Sequence, residues 1–335
     1  MALLAALAAL AVTVGVAAGS VHIPLGDVAA ILANRLFGTA LPDGMNGVYP
    51  AMVTDMRLPR VLLAFLTGAA LAASGTVMQS VLQNPLASPF GLGVSSGAGL
   101  GAAIVIVTGL AAGRAGMLAL PAVSLAFGLG TTALVLWAAG RIDRAMSNIT
   151  VVLVGMVASL FFNALMDLLA TLSPAYAQRI GLWQLGSFSM REWSAVWVLG
   201  PVTALGLVVF FRYAGEMDVM TFGEEQARAM GVDLKRCKRL LIGAVSVLTG
   251  TAVAFVGIIG FVDLIAPHVV RRFFGAAHRR TLPASALFGG GFMVLCDLAA
   301  RTLTPPREIP IGSITALLGA PFFLYIYFAG RRRER

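Results

Sequence analysis

Apolar residues run almost unbroken through 3–19, 61–82, 91–112, 115–139, 149–172, 193–211, 240–270, 282–303 and 310–330, and polar residues collect in the short breaks between. Each run but one is near the ~20 residues that cross ~30 Å of hydrocarbon as a helix. The exception, 240–270, would span ~46 Å at 1.5 Å per residue and has basic breaks on both sides, so it must go out and come back. The turn is expected near Gly257, Gly260 and Asp263, with Pro267 limiting the return helix. The pattern predicts an all-α, polytopic membrane protein of about ten helices, some broken or short. Residues 1–335 form one transmembrane domain, with 20–56 as the main outer loop and 212–239 as an inner segment.

Composition agrees. Hydrophobic residues make up 59% of the chain and charged residues 12%, with a mean hydropathy of +0.89, too apolar for an ordinary soluble domain. Most of the 24 lysines and arginines fall in four clusters: Arg141 with Arg144, the stretch Arg212–Arg239, "RRFFGAAHRR" from Arg271, and the tail "RRRER". Basic loops stay in the cytoplasm, which puts the chain in the cytoplasmic (inner) membrane with both termini on the cytoplasmic side. The net charge of +9 is therefore a topology signal and not a nucleic-acid footprint. The first run, "MALLAALAALAVTVGVAAGS", has the length and small residues of a cleavable signal but no basic start.

One stretch breaks the pattern. "QNPLASPFGLGVSSGAGLG", Gln83–Gly101, sets two prolines and five glycines between two apolar runs. Unpaired backbone in hydrocarbon costs several kcal/mol per group, so this segment must be buried in protein or line a wet cavity. It reads either as a tight packing elbow or as a broken helix lining a pathway.

Soluble chemistry is sparse. No G-x-x-x-x-G-K-[ST] loop is present to cradle ATP phosphates, and the G-x-G-x-x-A at Gly128, Gly130 and Ala133 lies inside a span with no preceding strand. His22, His268 and His278 are scattered, and Cys237 and Cys296 have no metal-site spacing. No catalytic residue, metal site or cofactor is expected. Asp167, Asp263 and Asp297 stand at membrane depth, where a carboxylate costs ~2.5–3.5 kcal/mol and must face a partner, the interior or the interface. For Asp167, a satisfied structural carboxylate is preferred to a proton relay.

"GEEQARAMGVDLKRCKR", Gly223–Arg239, reads as a short surface helix: Glu224 and Arg228 are four apart with the acid first, and Gly231 is placed to end it. Three arginines sit on the expected outer side, Arg57 and Arg60 around Pro59 and Arg301 at the end of the ninth run. They call for something acidic outside, or for lipid headgroups to which they snorkel. Pro59 fits a first-turn position of the second helix.

"RLPRVLLAFLTGAALAASGTVMQSVLQNPLASPFGLGVSSGAGLG" (57–101), "GEEQARAMGVD" (223–233), "GIIGFVDLIAPHVVRR" (257–272) and "EIPIGSITALLGAPFFLYI" (308–326) resemble the FecCD-type permeases, transmembrane subunits of ABC importers for siderophores, haem or cobalamin. The resemblance implies a homodimer embedded in membrane lipid, two cytoplasmic ATPase subunits that do the hydrolysis, and a periplasmic or lipoprotein solute-binding protein outside. It implies ATPase coupling through Gly223, Glu224, Glu225, Ala227, Arg228 and Gly231, and binding-protein docking at Arg57, Arg60 and Arg301. The runs 149–172 and 310–330 would line the pathway. Loop 144–149, "RAMSNI", matches the inner gate, with Ser147 and Asn148 closing against their dimer mates or, alternatively, capping the next helix. Asp263 departs from the family pattern, which commonly has a small residue there. An iron chelate, siderophore or haem, is favoured over cobalamin as cargo. An ion-gradient-driven secondary transporter is the rival, and should show more intramembrane carboxylates.

Overall fold

The computed structural model describes residues 1–19, 21–110, 116–189 and 192–331, and within them the secondary structure is helical. The end of the basic tail and the break at 111–115 lie outside the described residues. In chain order the helices are α1 (Ala2–Ala17), α2 (Leu25–Phe37), α3 (Tyr49–Val81), α4 (Val94–Thr108), α5 (Gly116–Ile142), α6 (Asn148–Leu172) and α7 (Pro174–Gln184). There follow α8 (Trp193–Arg212), α9 (Ala214–Met220), α10 (Glu224–Ala229), α11 (Leu234–Val256), α12 (Val262–Phe274), α13 (His278–Thr302) and α14 (Ile311–Arg331).

Among the described residues, six helices are long and apolar enough to cross a membrane: α3, α5, α6, α8, α11 and α13. The apolar helices α1, α4 and Ile311–Leu324 of α14 are shorter, and with α12 they account in order for the ten predicted crossings. The turnaround within 240–270 falls where charge parity requires it, since α11 ends at Val256 and α12 begins at Val262. At 13 residues α12 rises only ~20 Å, so the irregular 257–261 supplies part of the return.

Helix α3 is the axis of the subunit. Its most apolar window is 83% buried, against 17% for α6 at the periphery. Small residues let its neighbours close on it: a Cβ on Gly68 would stand 2.1 Å from the carbonyl oxygen of Gly289 on α13, and one on Gly75 would stand 1.9 Å from that of Asp263 on α12. Two apolar cores result. One, around Leu63, Leu71, Val262 and Met293, fills the end nearer α1. The other, around Met78, Met146, Phe210, Met217 and Leu241, fills the end nearer α9 and α10.

Two proline readings need adjustment. Pro59 does lie in the first turn of the α-helical stretch Leu58–Val81, but α3 as a whole begins earlier, at Tyr49, and passes through a wide π-helical turn, Met52–Arg57, just before it. Proline cannot donate to the carbonyl four residues back, and a wide turn accommodates that lost bond. Segment 20–56 thus contains α2 and the first turns of α3. Pro267 does not end α12, which continues to Phe274. The carbonyl that Pro267 leaves without its helical donor is that of Asp263, the oxygen that Gly75 packs against.

Segment 83–101 forms an elbow in which residues 83–86 and Gly91 are exposed on the subunit and the rest is largely buried. Its backbone is paired at short range, with Asn84 N–H donating to Gln79 O (3.1 Å), Ala87 to Asn84 (2.9 Å), Gly91 to Ser88 (3.1 Å) and Gly93 to Phe90 (3.1 Å). Ser88 Oγ donates to the Asp263 carboxylate, and α6 seats Gly155 on the backbone of Gly91 and Leu92. Asp263 therefore has a structural role, joining the elbow to α12.

Candidate functional sites at the two ends of the subunit

The three predicted outer arginines converge, but they turn inward. Arg57 is 6% exposed and donates Nη1 to the carbonyls of Val16 (2.9 Å) and Ala17 (2.7 Å), and Nη2 to that of Val21. Arg301, 8% exposed, donates to Gly15 O. The carbonyls of Gly15, Val16 and Ala17 are among the last of α1, which have no partner within their own helix and carry its negative dipole end, so two cations are the complement they need. Arg60 reaches across α13. Its Nε and Nη2 lie 2.9 and 2.8 Å from Asp297 Oδ1, and Nη1 lies 2.8 Å from Glu308 Oε1.

Asp297 is 1% exposed and also lies 3.4 Å from Arg301 Nε, so the buried carboxylate sits between two guanidiniums. That is the condition under which a buried charge is tolerated. Glu308 is more open and accepts from Ser189 Oγ as well as from Arg60. Burial alone would raise its pKa, but these hydrogen bonds hold it below its ordinary 4.5. Above this frame lies a cavity of about 390 Å³, lined by Met52, Met56, Arg60, Glu192 and Glu308 among others.

At the opposite end, α10 forms as predicted over Glu224–Ala229, with Arg228 Nη2 3.3 Å from Glu224 Oε2 and Gly231 at φ +86 just beyond its end. Gly223, at φ +113, opens it. Ala227 is its one fully buried side chain and seats it on the inner core, which leaves Glu225, Gln226 and Ala229 outward. Phe222 and Met230, 73% and 66% exposed, flank α10.

The preceding helix α9 is tied down firmly. Asp218 Oδ1 accepts from the backbone N–H of His278 (2.9 Å) and lies 2.6 Å from its Nδ1, while His278 Nε2 lies 2.5 Å from Ser80 Oγ. The order Ser80, His278, Asp218 is that of a hydrolase triad. Here, however, Ser80 is 5% exposed and also bonds the carbonyl of Thr76 one turn back (3.1 Å), so the trio is a strut joining α3, α13 and α9.

The predicted gate loop is built around Asp143, whose carboxylate accepts from the backbone N–H groups of Ala145 and Ser147, both at 2.8 Å. Hydrogen bonding from Ser147, and from the backbone of Ser147 and Ala145, holds Asp143 down to about 2. Ser147 occupies the N-cap position of α6, but its Oγ bonds Thr150 Oγ1 (2.9 Å) in place of a backbone donor. Asn148 is engaged within the subunit, its Oδ1 accepting from Lys238 Nζ at 2.8 Å.

Asp167 finds no partner within the described residues of the subunit. It is exposed on the bare face of α6, and no side-chain hydrogen bond or ion pair reaches it among the described residues. Residues that sequence reasoning missed are Lys238, Asp297 as a paired acid, Glu308, Phe222 and Met230. Lys238 stood in a cluster of like charges, and the pairing of Arg60 with Asp297 joins positions that no local period connects.

The profile of the FecCD transport family matches residues 6–329. The chain is 41% identical to the uncharacterized ABC transporter permease protein YvrB of Bacillus subtilis over 327 residues, 98% of this chain and 92% of that one. It is 38% identical to the cobalamin import system permease protein BtuC of Halobacterium salinarum (87% and 77% covered) and 35% identical to the hemin transport system permease protein HmuU of Yersinia pestis (90% and 88%). A solved structure of an inward-facing ABC transporter of metal-chelate type superposes with a TM-score of 0.84 at 30% identity, covering 97% of both chains.

Proposed function

The chain belongs to the FecCD transport family, and from that premise we propose that it carries an iron chelate, siderophore or haem, as the permease subunit of an ABC importer. Permease subunits of this family are not themselves catalytic, so ATP hydrolysis falls to separate subunits. Membership over 6–329 decides against the ion-gradient alternative. Relatives named for haem and for ferric citrate support the iron reading, and the relative named for cobalamin supplies the competing one. The test is ATP-driven uptake into proteoliposomes holding the permease, its ATPase and its binding protein. Uptake of a ferric chelate or haem is expected, and uptake of cobalamin alone overturns the cargo.

The observation that carries the mechanism is the placement of α10, seated on the inner core by Ala227 with Phe222 and Met230 bare on either side. In this reading α10 enters a groove of the ATPase through those apolar residues and through Glu225 and Arg228. At the other end the solute-binding protein docks on the rim, where its acidic side chains displace Glu308 from Arg60 while Arg57 and Arg301 hold the frame. Two copies face each other across α6 and α14. The exposed Asp167 supports that pairing, because a carboxylate on an apolar helix calls for a polar pathway or a partner instead of lipid.

The termini and α10 lie in the cytoplasm of a cell with the permease in its inner membrane. Single cysteines at Ala276 and Thr304, exposed at opposite ends of α13, are expected to label from the cytoplasmic and external sides respectively. Labelling from one side sinks the orientation and the ten-span count together.

A further inference from the structure

Lys238, near the start of α11, is 0% exposed, and its ammonium has three acceptors for its three protons: Glu224 Oε1 at 2.7 Å, Asn148 Oδ1 at 2.8 Å and Met146 O at 3.0 Å. Glu224 begins α10, Asn148 begins α6, and Met146 sits inside the predicted gate loop at φ +53, with its side chain fully buried. A buried ammonium fixes its partners because none of the bonds can be exchanged for water at that site. Few other polar links join α10 to the body. Its second ion pair, Arg228 with Glu224, is internal to the helix, and Ala227 offers only a methyl contact.

We infer that Lys238 is the positioning residue that transmits movement of α10 to the inner gate, by holding the carboxylate of Glu224 and the 146–148 backbone turn on one ammonium. The inference rests on the reading of 223–231 as the ATPase contact and of 144–149 as the gate. A shift of α10 pulls on Glu224. The pull passes through the Lys238 ammonium to the carbonyl of Met146 and the amide of Asn148, and so to the first turn of α6. Lys238 touches neither ATPase nor cargo. Its effect is on how the two loops move together.

The experiment uses the complete importer in nanodiscs, with Cys237 and Cys296 replaced and spin labels at the exposed positions Ala145 and Ala229. In importers assembled from one labelled and one unlabelled permease copy, the otherwise native protein is expected to show one narrow distance distribution with and without ATP. Lys238→Met, similar in length but without protons to donate, is expected to broaden or split it and to lower transport per ATP hydrolysed at least tenfold, with basal ATP turnover within about twofold. Asn148→Leu removes only the arm to α6, leaves the Glu224–Lys238 pair in place, and should broaden the distribution in the same way. It serves where Lys238→Met does not assemble. A distribution that stays narrow in the assembled variant, or transport per ATP that is unchanged in Lys238→Met, overturns the inference. Failure of the underlying reading looks different: a label at Ala229 in the native permease would then stay as mobile with the ATPase bound as without it.

Discussion

The two ends of this subunit both bury cations, and they use them differently. At the rim, Arg57, Arg60 and Arg301 join α1, α3, α13 and the loop carrying Glu308, and two of them satisfy the bare carbonyls of α1. Elements many residues long converge there, and the carboxylate at the centre, Asp297, has no route to water. At the inner end one ammonium joins a two-turn helix to a six-residue loop, and its acid, Glu224, is 23% exposed. The rim is a frame, whereas the inner cluster is a joint. A chain that passes a force from one face to a pathway needs both, since a joint transmits movement only relative to something that does not yield.

The largest effect should separate them. Arg60→Met strands Asp297 in the interior with only the longer contact to Arg301, and breaking a buried pair in this way costs roughly 3–5 kcal/mol. Reversible denaturation in detergent micelles reads it directly. A loss below about 1 kcal/mol would mean that the rim relaxes and is no frame.

Lys238→Met comes next. It leaves Glu224 free to turn toward water, so the cost is the lost charge-assisted hydrogen bonds, about 1.5–3 kcal/mol. A loss exceeding that of Arg60→Met would invert the comparison and make the inner cluster the frame.

How much of this was legible in advance follows from the physics of each feature. Lipid demands runs of apolar residues, so the six long spans and the shorter apolar helices α1, α4 and Ile311–Leu324 are visible as composition, and the break between α11 and α12 was expected from the basic clusters on either side of it. Helix α10 was legible because its acid, its base and its terminal glycine all lie within eight residues. The helical start of α3 was not, because Pro59 signals a boundary unless a wide turn absorbs it, and nothing local in "MVTDMR" announces one. Lys238 was invisible for a different reason. In "KRCKR" every cation reads alike, and only the bonds of Lys238 to Glu224, Asn148 and Met146 show that one of them points inward while Arg236 and Arg239 stay exposed.

A pH titration sharpens the difference at the rim. Glu308 has a depressed pKa in the folded protein, so its contribution is fully present above its ordinary 4.5 and is lost as pH falls through the depressed value. At neutral pH, Arg60 is therefore engaged on both sides. Glu308→Gln mimics the protonated state without acid, and should speed capture of the binding protein several-fold at low salt if incoming acids compete for Arg60, with the gain shrinking as salt rises. The carboxylate of Asp143 is held down to about 2 by its hydrogen bonds, so loop 144–149 keeps that anchor while Glu308 protonates. Unchanged capture in Glu308→Gln would remove Arg60 from docking and leave the rim a purely structural frame.

The smallest effect tests whether Glu224 belongs to the joint or to its own helix. Its second partner, Arg228, is 54% exposed at 3.3 Å, and an open pair four residues apart on a helix contributes only ~0.3–0.5 kcal/mol. Arg228→Ala should therefore leave the denaturation midpoint within about 0.5 kcal/mol of the native protein, whereas Glu224→Gln, which weakens the hold on a fully buried ammonium, should cost several times as much. Their effects on the complex should rank the other way. Arg228 faces outward from α10 and is expected to contribute to ATPase association, so Arg228→Ala lowers the affinity of the subunits while transport per ATP hydrolysed stays intact. Glu224→Gln should keep association and lower that ratio. Two substitutions on partners of one ion pair would then part company, one in binding and one in transmission. If they instead change the same quantity by the same amount, the carboxylate works with Arg228 alone, and the joint at Lys238 does not extend to α10.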